Sequence, residues 1–251
     1  MNKNFKRYYI LDSIRGITII SMILYHLIWD LVYIFEKNIP WFLSKSAYIW
    51  QQSICTLFIF LSGFCFSLGK NKLKRGLEVF WWGAMVSIVT IIFMPENKIL
   101  FGVLTLLGSS MLIQIPMDKI FKKLDPIIFF ITSIFVFIFT KSINTGILGL
   151  GGIIELKLPY SLYKNLFSAY FGFPPASFYS TDYFSLMPWY FLFLSGYFMY
   201  RIFEKFNLLN KLPNIRIFPL EWIGRNSLLI YILHQPLLYL ILSLLYEMNL
   251  L

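Results

Sequence analysis

Charge is scarce in this chain. Only 14 % of its 251 residues are charged, and 12 are acidic. A soluble domain of that length needs far more polar surface, so that class is excluded. Apolar runs of bilayer length recur from end to end and leave no room for a soluble module. Residues 1–251 are therefore expected to form a single transmembrane domain. Cysteine is nearly absent: Cys55 and Cys65 share one apolar run. Ten residues of helix hold their Cα atoms about 15 Å apart, which excludes a disulfide between them. No metal-type cluster accompanies them, and no metal is expected. There are two histidines, His26 and His234, so any imidazole chemistry must use one or both. No lysine occurs between 221 and 251, which excludes the retinal Schiff base of a seven-helix photoreceptor. Internal repeats and low-complexity segments are also lacking.

What is present is apolar and aromatic. Hydrophobic residues make up 58 % of the chain and aromatic residues 20 %, and the mean hydropathy is +0.69. The net charge of +10 is not a nucleic-acid signature, because lysine and arginine gather in the cytoplasmic loops of membrane proteins, beside an anionic leaflet. The pattern predicts an all-α, polytopic membrane bundle of about seven helices, near 8–35, 47–69, 74–94, 99–115, 126–148, 183–203 and 221–247. The first is expected to be retained rather than cleaved as a signal peptide, since it has no small-residue cleavage site and carries charges. Basic residues precede it (Lys3, Lys6, Arg7). They also fill the loops after the second helix (Lys70, Lys72, Lys74, Arg75), the fourth (Lys119, Lys122, Lys123) and the sixth (Arg201, Lys205, Lys211, Arg216). This alternation puts the N-terminus in the cytoplasm and the C-terminus outside. The stretch 149–182 falls outside. It carries Gly149, Gly151, Gly152, Pro159, Pro174, Pro175 and many aromatic residues, and is expected to lie at the interface or to fold over the outer mouth.

Ionisable groups inside hydrocarbon cost several kcal/mol, so those on the first helix need a reason. Arg15 and His26 lie roughly 20° apart around the helix, with Asp30 about 40° beyond and Asp12 about 60° to the other side. One stripe holds all four. His26 is about 16 Å deeper than Arg15. Asp30, one turn further, is placed to bond His26 as an i, i+4 neighbour, which would fix the imidazole tautomer and leave the other nitrogen as a general base. A buried ionic network that only sets helix packing is the alternative. The last helix opens with Gly224, Arg225, Asn226 and Ser227, where free backbone N–H groups favour an anion. Arg225 either joins that cap or reaches lipid phosphates. His234 and Gln235 lie at about the depth of His26, and Pro236 frees the carbonyl of Ile232 and kinks the helix beside them.

Other polar candidates are fewer. On the second helix Gln51, Cys55 and Ser62 share a face, and Ser62–Gly63 permits another helix to approach closely. Asp182 stands at the outer start of the sixth helix, either meeting a polar substrate or capping the helix. Trp29, Trp41, Phe178, Tyr179, Tyr183 and Trp189 suit stacking on sugar rings and equally suit the aromatic belt of a membrane interface.

These segments carry a resemblance. LDSIRGITIISMILYHLIWDL at 11–31 is similar to the first helix of bacterial members of the heparan-alpha-glucosaminide N-acetyltransferase catalytic-domain family. FIFLSGFCFSLGKNKLKRG at 58–76, FGVLTLLGSSML at 101–112, DYFSLMPWYFLFLSG at 182–196 and LEWIGRNSLLIYILHQPLL at 220–238 extend the likeness in order. The Arg15-to-His26 spacing also resembles that of the wider superfamily of membrane acyltransferases. The resemblance implies transfer of an acetyl group from cytoplasmic acetyl-CoA to a sugar acceptor of the cell envelope, in a bacterial cytoplasmic membrane. It implies that Arg15, Arg225, Asn226 and Ser227 receive the CoA phosphates, that His26 acts as base with Asp30 behind it, and that His234 or Gln235 stabilises the oxyanion. Asp182, Gln51, Gln235 and Trp29 are the expected acceptor contacts. The chain departs from the family at Thr105, where members often carry histidine, and in the loop 36–46, which has none. Expected partners are acyl-CoA, a sugar or glycan acceptor and the lipid bilayer, with a homodimer left open. The competing reading is a proton-coupled transporter or permease using the same Asp/Arg/His stripe. No pair of matching broken helices or inverted halves supports it.

Overall fold

Short polar signals set the ends of long apolar helices. The computed structural model describes residues 7–151 and 153–251; Lys3, Lys6 and Gly152 lie outside the described residues. The long helices are α1 (Tyr9–Tyr33), α2 (Lys45–Phe66), α3 (Lys72–Phe93), α4 (Val103–Phe121), α5 (Pro126–Phe139), α7 (Leu186–Lys205) and α9 (Ser227–Glu247). Two short ones, α6 (Leu166–Phe171) and α8 (Phe218–Arg225), a hairpin of β1 (Ile147–Leu150) with β2 (Ile154–Lys157), and five 3-10 turns complete the described elements. The fold is all-α and membrane-spanning. Five stretches are long and apolar enough to cross a bilayer: α1, α2, α3, Pro126–Thr145 and α9. The helices expected at 99–115 and 183–203 are present as α4 and α7 but are not among those five.

Three helices differ most from the sequence reading, and the fourth also runs on to Phe121 instead of ending at 115. The fourth helix starts later, at Val103, because residues 98–101 form a non-helical segment tied to 181–184: Thr181 N–H donates to the Lys98 carbonyl and Phe184 N–H to that of Phe101. The fifth stops at Phe139 rather than 148; Gly146, at φ 85°, then turns the chain into β1. The last helix is two helices, broken at Asn226. Where α5 begins, the Asp125 carboxylate accepts the N–H groups of Ile127 and Ile128 (2.9 and 3.1 Å) and Pro126 occupies the first helical position. This is the cap that a DP pair before an apolar run predicts.

Cα packing divides the chain into two compact units. In the first (residues 1–58 and 208–251), α1 packs on α8 and α9. Gly16 and Gly224 let α1 and α8 meet backbone to backbone: a Cβ on Gly16 would strike the Leu220 carbonyl, and one on Gly224 that of Asp12. Ile19 and Met22 of α1 meet Ile54 of α2 in a core ringed by Tyr25, Trp50, Phe58 and Tyr231. The Trp50 indole N–H donates to Ser21 Oγ at 2.8 Å and pins α2 to α1.

In the second unit (residues 59–207) α3 packs on α4, and α7 on α4 and α5. Gly63 faces the Phe193 carbonyl and Gly196 the Phe60 carbonyl, the close approach expected of the Ser62–Gly63 pair. Down α4 run buried Ser110, Gln114 and Asp118. The Tyr190 hydroxyl donates to Gln114 Oε1 at 3.1 Å, and that of Tyr197 to Asp118 Oδ1 at 2.7 Å. Lys122 and Lys72 close on Asp118 Oδ2 at 2.7 and 3.3 Å.

Candidate active site

The two histidines of the chain come from its first and last long helices and meet in the first unit. The imidazole rings of His26 on α1 and His234 on α9 lie 4.9 Å apart between centroids, tilted by 60°. Tyr25 packs edge-on against His26 at 5.9 Å, and Tyr231 lies against His234 at 5.4 Å, tilted by 56°. His234 is 8 % exposed. Its Nδ1 stands 2.6 Å from the Tyr231 carbonyl. A carbonyl can only accept, so Nδ1 carries the proton and the Nε2 lone pair is left open. Nε2 is buried without a hydrogen-bond partner.

Asp30 is fully buried. The i, i+4 bond to His26 expected from the sequence does not form. Gln235, brought in by α9, donates Nε2–H to Asp30 Oδ1 at 2.5 Å and takes the carboxylate instead. Asp30 Oδ2 and Gln235 Oε1 remain buried without partners. Four polar side chains, His26, Asp30, His234 and Gln235, thus occupy the α1–α9 contact, three of them with an unused polar atom.

At the other end of α1 the charges gather differently from expectation. Asp12 receives Arg7 Nε at 2.9 Å and Arg15 Nη1 at 3.5 Å, and Arg15 Nη1 also donates to the Gly224 carbonyl at 3.3 Å. Gly224 and Arg225 therefore sit at the C-terminal end of α8 and present a carbonyl there, not the free N–H groups of a helix start. Arg225 pairs with the buried Glu221 at 3.2 Å. Asn226 caps nothing with its side chain; its amide donates back to the Trp222 carbonyl at 2.9 Å. Ser227 opens α9. Arg216 lies over the Tyr9 ring at 3.7 Å and bonds the Tyr9 hydroxyl. Arg7, Arg15 and Arg216 thus gather around the first two turns of α1, with Asp12 as the carboxylate partner of Arg7 and Arg15 and Tyr9 as the partner of Arg216.

The remaining candidates fall elsewhere. Gln51 is half-buried on α2 beside Trp50 and takes no part in the histidine cluster. Trp29 packs against Tyr33 of its own helix at 5.1 Å, tilted by 38°. Asp182 belongs to the second unit and lies against the start of α4 near Gly102, while Ser185 is the N-cap of α7. Sequence reasoning missed the Tyr231 carbonyl, the Asp30–Gln235 pair and the Tyr9–Arg216 contact. Only the first had a signal, the three-residue step from Tyr231 to His234.

This is a polytopic all-α membrane protein with a polar histidine site inside its helices. Residues 7–236 match the family model of the heparan-alpha-glucosaminide N-acetyltransferase catalytic domain, and the chain belongs to that family. It is accordingly a membrane acetyltransferase. No curated relative and no solved structure matches the chain.

Proposed function

We propose that the chain is an integral acyltransferase of a bacterial cytoplasmic membrane. It would move acetyl from cytoplasmic acetyl-CoA to a hydroxyl or amine of an envelope sugar. The observation that carries this reading is the His26–His234 contact, with the His234 tautomer held by Tyr231 and its Nε2 buried and open. The full chain, both units included, acts as one domain in this reading, with seven helices in the membrane and the N-terminus in the cytoplasm.

Arg7, Arg15 and Arg216 receive the CoA phosphates, for which the guanidinium fork is suited. From Arg15 to His26 is about 16 Å along α1, comparable in reach to an extended pantetheine arm. The arrangement favours an exchange of the roles first given to the histidines. His234, with its proton on Nδ1, accepts the acceptor's proton at Nε2 as its oxygen or nitrogen attacks the thioester carbonyl. His26 makes no hydrogen bond to another described residue and would turn an N–H toward the oxyanion. The C–S bond then breaks, and the His234 imidazolium returns its proton to the CoA thiolate. Asp30 and Gln235 position the α9 segment that carries His234.

The test is binding of acetyl-CoA and desulfo-CoA to the purified protein in nanodiscs, for the wild type, Arg15→Ala and His234→Gln. Micromolar binding lost in Arg15→Ala and kept in His234→Gln is the expected result. Absence of binding to folded wild type would overturn the acyltransferase reading and favour the transporter.

A further inference from the structure

The second unit holds an open cleft of about 370 Å³ lined by Asn144, Pro174, Pro175, Phe178, Tyr179 and Tyr183 among others. Its lining residues 174–180 lie in the segment expected outside the membrane, with Asn144 and Tyr183 from the ends of the helices expected to flank it; its volume falls in the range of small-molecule sites, about 300–1,000 Å³. Its walls are held rigidly. Phe178 stacks parallel to Phe101 (6.2 Å, 10°) and packs on Tyr183 at 4.8 Å. The Tyr183 hydroxyl is bonded to the Ala169 carbonyl. Ser180 Oγ donates to the Leu100 carbonyl (3.0 Å) and accepts its N–H (2.9 Å), which ties the cleft to the start of α4. A turn closed by Phe178 N–H on the Pro175 carbonyl, at 2.9 Å, forms the rim. Such a wall costs little ordering when a ligand arrives.

Two groups are left to meet that ligand. Tyr179 is 54 % exposed, whereas the other two aromatic rings of the cleft are packed, Phe178 on Phe101 and Tyr183 on Phe178. Asn144 shares one hydrogen bond with Ser185 Oγ at 3.1 Å, which engages one end of its amide and leaves the other open. Among the described lining residues none is charged. An aromatic face beside an amide, without charge, does not suit a phosphate, a CoA or a cation. It suits a neutral ring with apolar C–H faces and hydroxyl edges.

We infer that this cleft binds a neutral saccharide ring of the acceptor glycan, stacked on Tyr179 and hydrogen-bonded by Asn144. The inference rests on the acyltransferase reading for the word acceptor; the sugar site itself stands on the cleft. The test uses the full chain in nanodiscs, with methyl α-glucoside and methyl N-acetyl-α-glucosaminide as probes in saturation-transfer NMR titrations, and acetyl-CoA binding measured on the same samples. Both variants alter exposed or half-buried side chains away from the histidines. Tyr179→Ala should weaken a probe about tenfold and Asn144→Ala about fivefold, with acetyl-CoA binding unchanged. Tyr179→Phe should bind like wild type, because stacking needs the ring and not the hydroxyl. Probe binding that is absent in wild type, or equal in wild type and both alanine variants, overturns the cleft assignment while acetyl-CoA binding leaves the acyltransferase reading intact. Loss of acetyl-CoA binding in wild type with variant-sensitive probe binding overturns the enzyme reading and supports the sugar site.

Discussion

A neutral imidazole has one nitrogen to give and one to take, and its neighbours decide which. The Tyr231 carbonyl makes that decision for His234, so replacing the ring while keeping its volume should remove the proton acceptor and little else. His234→Gln is expected to lower kcat by about 10²- to 10⁴-fold, with the KM for acetyl-CoA changed little; equal kcat in wild type and variant would discard the base assignment. Asp30 argues differently. Its carboxylate is buried and held by one side-chain amide, so removing that amide leaves a buried oxygen pair without its side-chain donor. Gln235→Leu should cost about 1.5–3 kcal/mol in stability, seen as a drop in the thermal midpoint in detergent. Asp30→Asn in the same chain should recover part of the loss, because a neutral amide is cheaper to bury than a carboxylate. If Gln235→Leu melts with the wild type, the pair is not holding the helices.

Helix ends and helix contacts explain what could and could not be read in advance. The long helices were legible because apolar length and the basic loops between them mark them directly. The start of the fifth helix at 126 and the close-packing role of the Ser62–Gly63 pair were legible for the same local reason. The break at Asn226 was not. GRNS looks like a helix start, and only the Arg15 guanidinium bonding the Gly224 carbonyl from another helix shows that α8 ends there. The His26–Asp30 bond failed for a like cause, since α9 brings a competitor whose position no local pattern encodes. The α1–α8 contact should be intolerant of any side chain at Gly224: Gly224→Ala is expected to destabilise by about 1–3 kcal/mol, against a near-neutral Gly151→Ala, where a Cβ meets nothing. The start of α5 carries a pH dependence. The Lys205 ammonium beside Asp125, and then the Ile128 N–H, hold its carboxyl below the ordinary value of 3.8. The stabilisation this gives is therefore full above pH 3.8 and is lost as pH falls through the lowered folded value. Asp125→Asn should flatten that acid limb of a melting-temperature profile, and an unchanged limb would show that other carboxylates carry it.

Across the whole molecule, function depends on which side each loop occupies, and the helices that decide it are α4 and α7. Neither is among the five clear spans: α4 carries the buried Ser110, Gln114 and Asp118, and Tyr190 and Tyr197 of α7 bond two of those residues. Hydropathy discounts such helices, although paired polar groups facing a protein neighbour cost a span far less than the same groups facing lipid. If both cross, Lys123 after α4 lies in the cytoplasm and Tyr160 beyond the β1–β2 hairpin lies outside. If neither crosses, the two exchange sides, because α5 then runs in the opposite direction. Both positions are exposed, Tyr160 at 76 %. Single cysteines at Lys123→Cys and Tyr160→Cys, probed in intact cells with an impermeant maleimide over the background of Cys55 and Cys65, separate the cases. Labelling at 160 and protection at 123 is the expected outcome, in keeping with the basic loops facing inward. The reverse pattern would put the Asn144–Tyr179 cleft in the cytoplasm, where no envelope glycan could reach it.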